Sequence, residues 1–151
     1  MDLKRLIGSG DKIGLLMLPF VVVGVGLNLA FPSFFDVGGP SSALRAVSIA
    51  IMAVGFVVWI WSVVLILTHV PSGELITTGP FALVKHPLYT GVAVLVLPWL
   101  GFLLNTWLGV LLGIVLYLGD RLFVNEEEAE LAARFGPRWD AYRREVLMPW
   151  V

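Results

Sequence analysis

Three stretches of this 151-residue chain, Ile13 to Phe35, Ala46 to Gly73 and Pro87 to Gly119, carry no formal charge. Crossing the hydrocarbon core of a bilayer takes about 20 apolar helical residues, and each stretch is at least that long. Lipid offers no hydrogen-bond partners, so each must satisfy its backbone internally, as a helix does. The rest of the composition agrees. Hydrophobic residues make up 58% and charged residues 14%, against roughly a quarter charged in soluble domains. The chain reads as an integral membrane protein.

The first two stretches each make one span. The third is too long for one ordinary crossing, and Asn105-Thr106, just after Gly101, offers a tight turn near its middle. The expected fold is therefore all-α and polytopic, with about four transmembrane helices over 13–35, 44–69, 88–104 and 107–123, the last two a helical hairpin. A C-terminal cytosolic or interfacial helical segment follows over 125–147, and the whole of 1–151 forms one membrane-embedded domain. Pro19 and Pro98 fall inside helices, where neighbouring helices re-satisfy the freed backbone groups. Met1 to Lys12 has the basic residues of a signal-peptide n-region. The apolar stretch behind it exceeds the roughly 7–15 residues of a signal h-region, so a retained helix is expected.

Orientation follows from Lys and Arg. Lys4, Arg5 and Lys12 precede the first helix, Lys85 lies between the second and third, and Arg134, Arg138, Arg143 and Arg144 follow the fourth. An even number of spans puts all of these on one side. The opposite side keeps only Arg45, beside the short Asp36 to Ser42 loop, and the uncharged Asn105 turn. The positive-inside bias then makes both termini and the Val70 to His86 loop cytoplasmic. With no cysteine and two histidines, disulfides, thiolate sites and a cysteine nucleophile are excluded, and a His-rich metal centre is not expected. No basic run is dense enough for nucleic acid.

Beyond the fourth helix, Glu127, Leu131 and Phe135 recur at i, i+4 and i+8, one helical face. Gly136-Pro137 breaks the helix, and a shorter piece, Arg138 to Val146, carries Trp139, Tyr142 and Val146 on one side, as suits the membrane-water boundary. Glu127 stands where an apolar side chain is expected, and a buried carboxylate needs a cationic partner. The alternative is a solvated Glu126-Glu127-Glu128 cluster at a helix start. Arg121, near the cytoplasmic end of the fourth helix, is a functional candidate by depth alone, or an Arg snorkelling to the interface or pairing with Asp120. His86-Pro87 also fits an ordinary helix start. Tyr89, Trp99, Trp107 and Trp150 fit interfacial aromatics equally well, and His69 an interface residue.

The run from Gly73 to Gly91, with Leu75, Thr77, Gly79 and Phe81 followed by Lys85, His86, Pro87, Leu88 and Tyr89, joins Glu127, Glu128, Leu131, Phe135, Gly136 and Tyr142 downstream. Together these resemble the membrane-embedded isoprenylcysteine carboxyl methyltransferases and their phospholipid methyltransferase relatives, over about half the chain, from Leu75 to Val146. The resemblance implies S-adenosylmethionine as cofactor, bound on the cytosolic side. It would be held by Glu74, Leu75, Ile76 and Phe81 of the loop, by His86, Pro87, Leu88 and Tyr89, and by Glu127. It also implies a lipophilic acceptor, an isoprenylcysteine-like carboxylate or a phospholipid amine, with Arg121 as the candidate for orienting it. Lys85, Trp139 and Gly73 stand where the family pattern has Arg, Tyr and often His. The family's substrate-carboxylate Arg aligns with Phe123, two positions after Arg121.

Two other classes stay open on the sequence. One is an NADPH-dependent reductase of the sterol reductase type, which shares the His-Pro-x-Tyr segment and a Phe135-Gly136-Pro137-Arg138-Trp139 ending. The other is a membrane scaffold that keeps the fold without the chemistry. Membrane lipids are the expected surroundings, and apolar outer faces leave room for a homodimer.

Overall fold

The computed structural model describes residues 10–148. Lys4, Arg5 and Trp150 therefore lie outside the described residues. Those described are all-helical, with two isolated β-bridges and no strand. The order is α1 (Gly10–Ala30), α2 (Pro32–Phe35), α3 (Ser42–His69), a single 3₁₀ turn (Gly79–Ala82), α4 (Pro87–Gly91), a π-helical turn (Val92–Val96), α5 (Leu97–Leu103), α6 (Leu108–Phe135) and α7 (Pro137–Glu145).

Three helices, α1, α3 and α6, are long and apolar enough to cross a membrane. The rod from Pro87 to Leu103 is apolar but shorter. The outer helices are apolar on their exposed sides: Leu15, Val22 and Leu29 on α1, and Ile49, Phe56 and Trp61 on α3, stand exposed. What α3 buries is small, Ser48, Gly55 and Ser62, one residue in every seven. In lipid this is the expected inversion, because apolar side chains gain nothing by leaving the acyl chains, and small ones let backbones approach.

The tightest approach joins α6 to the rod. A Cβ built on Gly109 would lie 2.1 Å from the Leu97 carbonyl oxygen, and one on Gly113 would lie 2.4 Å from that of Ala93. Gly109 and Gly113 thus form a small-xxx-small face against the rod's backbone. The rod is irregular there for a local reason. Pro98 has no N–H to give the carbonyl four residues back, that of Val94. The Trp99 indole N–H donates to this oxygen instead, at 3.2 Å. The π turn over Val92–Val96 absorbs the mismatch, as such turns do inside α-helices.

Far from the charged ends, the α1–α3 connection and the α5–α6 turn close on each other. Asn105, with φ +58° in the left-handed region that Asn tolerates, accepts the Gly39 N–H at 2.8 Å. The Phe35 carbonyl accepts the Trp107 N–H at 3.0 Å, and the two rings stack at 5.1 Å. The Asn28 amide donates to Thr106 Oγ1 at 3.0 Å, fastening α1 to the same turn.

Several expected boundaries move. The first helix stops at Ala30 rather than Phe35, because Pro32 pushes Phe31 out of the helical region, to φ −131° and ψ 60°. The separate helices expected over 107–123 and 125–147 are instead one helix from Leu108 to Phe135, followed by α7. Between Asp120 and Phe135 there is neither Gly nor Pro, and Ala, Glu and Leu favour the helix throughout. The change from apolar to charged sequence marks a change of surroundings along one rod. Gly136, at φ +51°, and Pro137 then end α6 and start α7.

The Gly109 contact carries a test. Gly109→Ala should destabilise the purified protein by about 3 kcal/mol, the upper end of ordinary overpacking costs, since the new methyl meets a carbonyl and not a flexible side chain. Gly26→Ala, whose added Cβ meets nothing within 4 Å, should change stability by less than about 0.5 kcal/mol. Thermal unfolding in detergent reads both, and equal melting temperatures for the two variants would contradict the close approach.

Candidate functional site

At the charged end of the molecule the segment after α3 folds back over the start of the rod, and the end of α6 with α7 closes above it. His86 begins the rod. Pro87 supplies the first helical residue, as at an ordinary helix start, yet the His86 side chain caps nothing. It is turned inward at 6% exposure, with Nε2 3.7 Å from the Glu128 carboxylate, too far for a hydrogen bond. Glu128 is instead engaged by the Lys85 ammonium, and both side chains are largely buried. Removing one partner of such a pair would leave an uncompensated charge, so Lys85 and Glu128 depend on each other.

α7 is tied down by apolar packing and by hydrogen bonds to the loop. Trp139, Tyr142 and Val146 form a buried cluster against Leu75, Leu131, Ala132 and Phe135. The Tyr142 hydroxyl donates to the Phe81 carbonyl at 2.8 Å, and burial raises its pKa well above the usual phenol range, so it stays a neutral donor. Past α7, the Leu147 and Met148 N–H groups donate to the Ala82 and Leu83 carbonyls at 3.2 and 2.9 Å. The stripe expected to lie along the membrane-water boundary thus packs on protein.

Between these parts lies a cavity of about 540 Å³, within the roughly 300–1,000 Å³ of small-molecule and cofactor sites. Glu74, Leu75, Ile76, Phe81, His86, Pro87, Leu88, Tyr89 and Glu127, the nine residues expected around a cofactor, all line it. They come from three separate parts of the sequence. Arg121 does not line it. It stays half-buried on α6, six residues before Glu127. His69 is also off the wall; its ring lies within hydrogen-bonding distance of Thr68 and the Leu65 carbonyl.

The cavity has further walls that the motifs did not single out as binding residues: Glu130, Leu131, Arg134, Phe135, Trp139 and Tyr142. Arg134 stacks its guanidinium over the Phe135 ring at 5.1 Å. Deeper on α6, Asp120 is a carboxylate at 3% exposure. A carboxylate on an apolar face was visible at that position, on the stripe of Leu116 and Val124, and is the kind of signal that marks intramembrane function.

The chemistry of the wall suits a molecule with an aromatic ring and charged groups. Phe81, Tyr89, Phe135 and Trp139 supply aromatic faces. Glu74, Glu127 and Glu130 supply carboxylates for a cation. Two buried polar atoms of cavity residues, His86 Nε2 and Trp139 Nε1, have no hydrogen-bond partner among the described residues. Of these, His86 Nε2 faces the Glu128 carboxylate at 3.7 Å, away from the cavity lining.

Comparison with known proteins identifies a family. Residues 42–133 match the model of the isoprenylcysteine carboxyl methyltransferase (ICMT) family. No curated protein and no solved structure gave a significant match. The family match runs from the start of α3 through the loop and rod to the last turn of α6. It covers well over half of the chain, which is an integral membrane protein of the isoprenylcysteine carboxyl methyltransferase family.

Proposed function

We propose that the protein transfers the methyl group of S-adenosylmethionine to a lipophilic acceptor at the cytosolic face of the membrane, the acceptor being an isoprenylcysteine-like carboxylate or a lipid of similar reach. The observation that carries this reading is the convergence of all nine expected cofactor residues on one cavity. When bound, S-adenosylmethionine supplies a methyl group on a sulfonium, which the acceptor's lone pair displaces in line while the C–S bond's electrons return to sulfur. Such a displacement needs no protein nucleophile. The protein's contribution is to align the reactants and exclude water.

Each wall has a part in that task. Glu127, with Glu74 and Glu130 nearby, gives the cavity negative potential suited to an α-ammonium and a sulfonium. Phe81, Tyr89, Phe135 and Trp139 offer ring faces to adenine or to the sulfonium. α7, held to the loop through Tyr142, keeps bulk water from this side. Arg121, off the cavity wall, would meet the polar end of the acceptor arriving from the bilayer.

Isothermal titration calorimetry of the purified protein in detergent tests the donor. S-adenosylhomocysteine should bind, and NADPH should not; the reverse result would favour a reductase. Glu127→Gln should weaken binding about 10- to 100-fold, the usual worth of a hydrogen bond to a charged group. Glu126→Gln, on an exposed residue paired with Lys12, should leave it unchanged, as surface ion pairs contribute little. Arg121→Ala should leave S-adenosylhomocysteine affinity intact while raising the acceptor KM in a methyl-transfer assay with farnesylated cysteine derivatives. A loss of cofactor affinity instead would place Arg121 on the donor side.

The reading also requires the rod to cross with α1, α3 and α6, giving four spans with both termini cytoplasmic. Because the chain contains no cysteine, single cysteines can be introduced without background. Ser72→Cys should react with an impermeant maleimide only when the cytoplasmic face is accessible, and Asn105→Cys only from the opposite face. Labelling of both from one side would refute the topology.

A further inference from the structure

Asp120 is a carboxylate at 3% exposure on a helix long and apolar enough to cross a membrane. Leu118 and Leu122, on either side of it in sequence, stand 55% and 69% exposed, so acyl chains reach its level. An ionised carboxylate at that depth is costly unless a cation or hydrogen-bond donors meet it. Among the described residues Asp120 makes no hydrogen bond and no ion pair. The charged and titratable groups that act on it across the site are His86, Glu127, Arg121 and Lys85. None of them neutralises it. Lys85 is held by Glu128, His86 Nε2 is turned toward that same carboxylate at 3.7 Å, Glu127 carries the same charge as Asp120, and Arg121 makes no ion pair with it. On α1, which packs along α6, the charged groups are Asp11 and Lys12, and Lys12 is held by Glu126.

The glycine seam places this carboxylate. Gly109 lies against Leu97 and Gly113 against Ala93, so α6 and the rod run antiparallel, a turn of one matched to a turn of the other. Carried on toward the charged end, that register brings Tyr117 level with Tyr89, and then Asp120 level with His86. Tyr89 lines the cavity and also packs on the buried cluster of Ile13, Ala93 and Leu116. Leu116 is one turn before Asp120 on the same face of α6, and Glu127, on the cavity wall, is two turns after it, about 10 Å along the helix. Asp120 therefore sits between the cavity, which it does not line, and the apolar interior. With a donor in the cavity and an acceptor's tail in lipid, the acceptor's head group passes the level of Asp120 to reach the methyl group.

We propose that Asp120 receives the head group of a lipophilic amine, pairing with its ammonium and taking the proton that must leave before the nitrogen can attack. The assignment rests on the donor reading above and names the acceptor class that reading leaves open. An ammonium has no lone pair. Passage of one N–H proton to the Asp120 carboxylate frees one, and the nitrogen then forms the new N–C bond while the electrons of the C–S bond return to sulfur. The products are a methylated ammonium, a neutral thioether and a protonated Asp120, which returns its proton to water. A carboxylate acceptor already has its lone pair and needs no base, and it would approach a group of its own charge.

The test is transfer of a labelled methyl group from S-adenosylmethionine by the full chain in detergent, with oleylamine as acceptor and, for comparison, two carboxylates, oleate and a farnesylated cysteine derivative. Oleylamine should be methylated at least about tenfold faster than either carboxylate. Asp120→Asn, close to isosteric, should lower kcat for oleylamine about 100-fold or more, the usual worth of a general base, and leave S-adenosylhomocysteine affinity unchanged. The variant's residual rate should climb about tenfold per pH unit with the free-amine fraction, where the wild-type rate levels off. A purely structural part for Asp120 predicts neither the kcat loss at unchanged donor affinity nor the altered pH profile. Equal or faster transfer to a carboxylate would overturn the proposal, as would an Asp120→Asn protein with wild-type kcat and pH profile. So would a wild-type protein that binds S-adenosylhomocysteine yet transfers nothing to oleylamine, a result independent of whether any variant folds. A wild-type protein that binds no S-adenosylhomocysteine would overturn the donor reading itself, and this assignment with it, which separates the two failures.

Discussion

The contact on which the rest of the molecule depends is the one between the α6 glycines and the backbone of the rod. With the Leu97 and Ala93 carbonyls pressed against Gly109 and Gly113, the two helices have no side-chain cushion through which to slide. Association inside a bilayer gains little from hydrophobicity, so packing at this distance must supply it. The consequence appears at the far end of both helices. The rod carries His86 and Tyr89 at its start, and α6 carries Glu127 and Glu128 near its end. Once the glycine seam fixes the axial register, His86 and Glu128 come within 3.7 Å of each other, and Tyr89 and Glu127 both reach the cavity wall. α3 adds to the same seam, for a Cβ on Gly55 would lie 2.8 Å from Leu95 Cβ and 2.9 Å from Val96 Cγ2.

The continuity of α6 converts that register into a site. At 28 residues it is about 42 Å long, some 12 Å more than a typical hydrocarbon core. The excess lies where the sequence turns charged, so the last turns of α6 project beyond the lipid while remaining one stiff piece with the part inside it. A carboxylate such as Glu127 can then be held rigidly at the boundary, in water's reach on one side and against aromatic residues on the other. Had the helix broken near Phe123, Glu127 would have ridden on a segment free to swing, and its distance from Tyr89 would not be set by the glycine seam.

Much of this was legible in the sequence, and the part that was not has physical causes. The apolar stretches, the turn at Asn105-Thr106 and the break at Gly136-Pro137 are local signals, read from single residues and their spacing. The nine residues that converge came from the family resemblance, and spacing pointed separately to Glu127 alone. The continuity of α6 was hidden because apolar and charged sequence read as two elements, although nothing chemical interrupts the helix. The π turn depends on Pro98, the Trp99 indole and the close passage of Gly113, a combination that no window of sequence displays. Arg134 was hidden for a plainer reason. An Arg in the last turn of an amphipathic helix is what the helix dipole favours, and only its placement over Phe135 and beside Gly73 sets it apart.

On the function proposed above, the position of the cavity suits the reactants that a membrane methyltransferase would bring together. A charged, water-soluble donor and a lipophilic acceptor are each excluded from the other's solvent, so a shared site has to lie where protein replaces both. Here the lipid side is closed by the rod and α6, packed backbone to backbone. The water side is closed by α7, whose Trp139, at 2% exposure, and Tyr142, at 5%, press on the loop that carries Leu75 and Phe81. The two closures differ in kind. The first rests on shape and resists movement; the second rests on apolar contacts and a few hydrogen bonds to a loop, the kind of local structure that opens at lower free energy than a helical core. Passage of a soluble molecule is therefore easier past α7 and the loop than through the glycine seam, and the rigid wall is the one against which reacting groups can be aligned.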